Sequence, residues 1–103
     1  MIRRATAAAG LLALASCGVP SGVEVRHIAS TRPAATGGLW HLFLFDPAEP
    51  RSLDDRIRLA RAEIARDRDC RWADAPRAAI EAETQAQGGA RADTMLAAPV
   101  SCA

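Results

Sequence analysis

The chain has 103 residues, enough for one small domain and no more. Its 13 basic and 12 acidic side chains leave a net charge of +1, without the basic excess a nucleic-acid-binding protein carries. Half of the residues are hydrophobic, which excludes both a chain disordered by composition and a multi-span membrane protein.

The first element along the chain is an export segment. Arg3 and Arg4 are followed by an apolar or small-residue stretch over residues 5–15, broken only by Thr6 and Gly10. That stretch is too short to cross roughly 30 Å of hydrocarbon at about 1.5 Å per helical residue. A positive start, a short apolar stretch and small residues beyond it read as a signal peptide rather than a membrane span. The segment ends Leu14-Ala15-Ser16-Cys17-Gly18, an aliphatic residue and two small ones before a cysteine.

This run resembles the lipobox of bacterial lipoproteins, and the chain is similar in architecture to the small envelope lipoproteins of Gram-negative bacteria. The resemblance covers the export segment alone. It implies that residues 1–16 are a cleaved signal peptide, that Cys17 is lipidated, and that residues 17–22 tether a domain over residues 23–103. An ordinary secretory signal with a chance cysteine is the alternative. Gly18, rather than Asp, after the cysteine favours the outer membrane over the inner by the enteric sorting pattern. The anchor has a physical logic, since each buried CH₂ contributes about 0.8 kcal/mol and two or three acyl chains hold where one does not.

Three cysteines are an odd number for an exported chain. If Cys17 carries lipid, Cys70 and Cys102 remain as a pair in an oxidising compartment, and a disulfide between them is expected. Free thiols or metal ligands are the alternative. Neither cysteine has a second Cys or a His at close spacing, so a zinc site is disfavoured.

Within residues 23–103, Val23, Val25 and His27 alternate with Glu24 and Arg26, a strand pattern. Residues 30–38 contain Pro33, Gly37 and Gly38 and read as a loop. Residues 39–45 follow as an apolar run on both faces, expected as a central strand that Asp46-Pro47 and Pro50 stop. Ser52 opens a helix as N-cap with Asp55 at N3, and Leu53, Ile57, Ala60 and Ile64 form its apolar stripe. Asp54 and Arg58 are spaced to pair across one turn.

Residues 70–73 read as a short strand. Pro76 is expected to be the first residue of a second helix capped by Asp74, with Ile80 its one large apolar side chain and Gly88-Gly89 its end. Residues 94–100 read as a last strand running on to Cys102. The expected fold is α+β, a small and mostly antiparallel sheet of three or four strands with one or two helices packed on one face, stabilised by the disulfide.

No catalytic motif is present. The chain lacks H-E-x-x-H, C-x-x-C, G-x-S-x-G and a phosphate-binding glycine loop, so neither a catalytic residue, a cofactor nor a metal is expected. His27 and His41 are its only histidines, and a lone strand histidine such as His41 is most simply structural. Arg51, Arg56, Arg58, Arg61, Arg66, Arg68 and Arg71 form either an anionic-lipid contact face or, with the acids between them, a solvated mixed-charge helix. Trp40, His41 and Leu42 are the candidate partner-binding face if Trp40 faces solvent, and part of the core if it does not.

These readings converge on a membrane-anchored envelope lipoprotein, facing the periplasm, with a structural or accessory role toward an envelope protein partner. The alternative is a binding module for a small ligand, lipid or envelope polymer.

Overall fold

The structure, a computed structural model, describes residues 23–103. The expected signal peptide, Cys17 and the tether lie outside the described residues. Four strands form one antiparallel sheet: β1 (Arg26–Ile28), β2 (Leu39–Leu44), β3 (Cys70–Trp72) and β4 (Met95–Cys102), in the order β1-β2-β4-β3. Helix α1 (Leu53–Ala65) joins β2 to β3, and helix α2 (Arg77–Gly88) with a 3-10 turn (Gly89–Thr94) joins β3 to β4. This is the α+β fold expected, with the disulfide between Cys70 and Cys102 formed. β2 and β3 both run antiparallel to β4, so α1 crosses over β4 to place β3 on its far side.

β4 is the centre of the molecule. Every residue from Met95 to Val100 is buried, so both of its faces are covered. Leu96 and Val100 stand with Phe43 and Trp72 on one face. α1 lies over that face, its Arg61 guanidinium 5.3 Å from the Trp72 ring. Met95, Ala97 and Pro99 share the other face with Leu44, Leu42 and Trp40, their partners across the register. α2 meets this face at Gly88, where an added Cβ would fall 2.8 Å from the Met95 sulfur. Phe43, Ile64, Leu96 and Val100 are the largest apolar side chains with essentially no exposure.

The α1 cap forms as expected, with the Asp55 amide donating to Ser52 Oγ at 3.1 Å. Its buried stripe includes Arg56 beside Ala60 and Ile64. Asp54 does not pair with Arg58. It accepts from Arg77 of α2 at 2.7 Å, while Arg58 turns one position and bonds Asp55. Both carboxylates thus find guanidiniums, and an exposed pair within one helix is worth only about 0.3–0.5 kcal/mol, so it yields to the link between helices.

α2 begins one residue later than expected. Pro76 is the N-cap, in extended backbone, and no side chain caps the helix, so Asp74 does not serve that role. Proline already lacks an N–H, and its fixed φ suits the extended cap as well as it suits the first helical position. Between β1 and β2 the loop turns back through Gly38 at φ +75°, where a Cβ would fall 2.8 Å from the Val100 carbonyl oxygen. Only glycine meets both demands.

Candidate functional site

The two histidines meet. The offset of β1 on β2 sets His27 opposite Phe43 and therefore diagonal to His41, two residues along the same face. The His27 ring stacks on Phe43 with centroids 4.8 Å apart and planes 3° from parallel. It also stacks on His41, and His27 Nε2 lies 2.6 Å from His41 Nδ1. One of these nitrogens donates and the other accepts. His41 is 3% exposed and His27 half-buried. Burial first, and then the neighbouring His27, lower the pKa of the His41 imidazole from its ordinary value.

On its outer side His27 borders a cavity of about 440 Å³. Glu63, Arg66, Asp67, Arg68 and Asp69, from the end of α1 and the turn beyond it, form the rest of the lining. Glu63 is bound to Arg66 at 2.5 Å, and Asp67 accepts the amide of Asp69 at 2.9 Å. Among the described residues no group of three or more His, Cys, Asp or Glu side chains is placed to hold a metal ion.

A larger open cleft, about 830 Å³, lies between β1–β2 and the end of α2. Leu44 and Met95 contribute apolar lining, and its charged side chains balance, Arg26, Arg51 and Arg91 against Glu24, Asp46 and Glu49. Arg51 is engaged by Asp55 and Glu49, whereas Arg26 and Arg91 have no ion-pair partner among the described residues. The volume is within the range of small-molecule sites.

Trp40, His41 and Leu42 do not form one surface. Successive strand residues point to opposite faces, so His41 faces α1 and the other two face away from it. Trp40 is 8% exposed and packs into the core, and Leu42 is half-buried. The arginine-rich stretch is largely consumed internally. Arg51, Arg58 and Arg66 pair with acids of α1, Arg61 covers Trp72, and Arg56 is buried. Arg56 donates to the carbonyls of Ala92 at 2.6 Å and Met95 at 2.5 Å. Its place was legible: three residues after Leu53 and four before Ala60, it lies on the apolar stripe. The histidine pair was not, since it depends on the β1–β2 register.

No helix among the described residues is long and apolar enough to cross a membrane. No protein-family model, curated protein or solved structure matches this chain.

Proposed function

We propose that the chain is a lipid-anchored envelope protein, held at Cys17, that presents residues 23–103 to an envelope protein partner as a rigid, disulfide-bonded domain. One observation carries this reading. Cys70 and Cys102 bond to each other, which leaves Cys17 as the odd cysteine, standing after Leu14-Ala15-Ser16. A structural or accessory role on the periplasmic side, at the outer membrane by the Gly18 criterion, follows from the anchor and from the absence of a catalytic motif in the sequence.

Intact mass of the protein from the membranes of a Gram-negative host tests it. The expected mass is that of residues 17–103 plus acyl chains, rising by two hydrogens on reduction, with Cys17→Ser neither cleaved nor acylated. A full-length or unacylated wild-type chain overturns the anchor.

The alternative, a periplasm-facing binding module for a small ligand or lipid, draws on the cleft beside α2. Its lining is apolar at Leu44, Phe45 and Met95, and Arg26 and Arg91, in no ion pair among the described residues, stand in it with Glu24 and Asp46. This suits a small amphipathic ligand whose anionic end an arginine would hold. Titration with a short-chain fatty acid, followed by chemical-shift changes, is expected to move Leu44 and Met95 and to weaken in Arg91→Glu. Unchanged spectra at millimolar ligand dismiss this alternative.

A further inference from the structure

We infer that His27 and His41 form an acid-releasable clasp holding the edge strand β1 against β2. The geometry sets the condition. At 2.6 Å, His27 Nε2 and His41 Nδ1 share one proton, a donor facing an acceptor. When each imidazole carries two protons, both facing nitrogens are donors, and the bond cannot exist. Two stacked cations 4.8 Å apart then replace an attractive pair, in a site where His41 is almost wholly withdrawn from water.

Beside His41 the sheet neighbours are apolar, and the charges near His27 line the cavity on its outer side. Across β4, His41 faces Ala98, and the next residues on its face are Phe43 and Leu39. Trp72 of β3 lies behind Phe43, its ring 6.3 Å away. On β1, Arg26 is exposed and points to the opposite face, with Glu24 exposed before it. From α1 and its following turn come Glu63, Arg66, Asp67, Arg68 and Asp69, all beside His27 and none hydrogen-bonded to either imidazole. That cavity carries three carboxylates against two guanidiniums, so an imidazolium at position 27 gains anionic neighbours by swinging outward, away from His41.

β1 is the element able to yield. It has three residues, pairs with β2 alone, and stands at the edge of the sheet. Its His27 contacts with His41 and Phe43 are its aromatic attachments to that face. Release of β1 uncovers the backbone edge of residues 42–44, a template for an added strand. The clasp operates wherever the chain resides and does not depend on the anchor.

Amide hydrogen exchange, expressed as protection factors, tests the clasp at pH 7 and pH 5 on residues 26–28, on β2 and on Leu96 of β4. In the wild type, protection of residues 26–28 is expected to fall at least ~10-fold on acidification and to lie well below that of Leu96 at pH 5, so that β1 opens without the core. His27→Phe keeps an aromatic ring against Phe43 but carries no proton, and should show no such fall. His27→Gln, which retains a donor toward His41 Nδ1, should behave as His27→Phe does and serves if the phenylalanine variant does not fold. Equal wild-type protection of residues 26–28 at both pH values, protection there equal to that of Leu96 at pH 5, or the same fall in a folded His27 variant each overturns the proposal.

Discussion

Ala73 donates its amide to the carbonyl of Pro99 at 3.0 Å, and Pro99 has no amide to return. The β3–β4 ladder therefore stops there, after Cys70↔Cys102, Arg71↔Ser101 and Trp72↔Val100. The next outward amide of β4, that of Ala97, is instead taken by Thr84 Oγ1 of α2 at 2.9 Å. One proline thus ends a strand and sets where α2 must supply a side chain, because a buried N–H without a partner is costly.

Thr84→Val tests that dependence. The methyl groups fit where the threonine stood, but the Ala97 amide loses its acceptor at a fully buried position. Stability should fall by about 1–3 kcal/mol in urea unfolding, with little change in the folded spectrum. A variant as stable as the parent would mean that water or a shift of α2 satisfies the amide.

Arg56 is a buried cation that holds the 3-10 turn to the start of β4 through the Ala92 and Met95 carbonyls. Arg56→Leu leaves both carbonyls without this donor. A loss of about 2 kcal/mol is expected, below the sum of two charged hydrogen bonds because the cost of burying the guanidinium is also removed. Thermal unfolding of the variant, with exchange of the Met95 and Leu96 amides, measures it.

Cys70 and Cys102 stand directly opposite on neighbouring strands, 32 residues apart in sequence. Chain-entropy reasoning gives about 3.7 kcal/mol for closing a loop of this length, a large share of what a small domain has. The Cys70→Ser/Cys102→Ser double variant should lose most of that, and the parent should lose the same on reduction. Identical unfolding with and without reductant would remove the bridge from the stability of the fold.

Acid should weaken the domain in two windows. The His41 pKa is lower folded than unfolded, so its stabilisation is fully present above about pH 6.5 and is lost as pH falls through the folded value. Asp55 is likewise depressed, by hydrogen bonds from Arg58 and then Arg51. Its contribution is present above about pH 3.8 and disappears as pH falls through its lower folded value. Urea midpoints between pH 8 and pH 3 should fall in both windows. His27→Phe should shrink the upper one, and Asp55→Asn the lower.

Much of this fold was readable along the chain. The Ser52 cap, the Leu53–Ala60–Ile64 stripe, the turn at Gly37-Gly38 and the apolar run of β2 are signals written within a few residues of one another. The paired Cys70 and Cys102 were reached from the cysteine count. Pairings between distant residues were not readable in this way. Asp54 has a suitable partner one turn away in Arg58, yet it bonds Arg77, because two helices placed side by side bring a second guanidinium within reach.

Trp40 shows the same divide. Its place in a strand follows from local pattern, whereas its burial follows from the cover on the Met95, Ala97 and Pro99 face of β4. The amino-acid order settled which segments are helix and strand and which cysteines can be spared for a bridge, since propensity, capping and periodicity act over one or two turns. Only the folded chain decided that His27 meets His41, that Arg56 reaches Met95, and that Thr84 completes β4. Those contacts depend on strand register and helix placement, which the packing of the whole core selects.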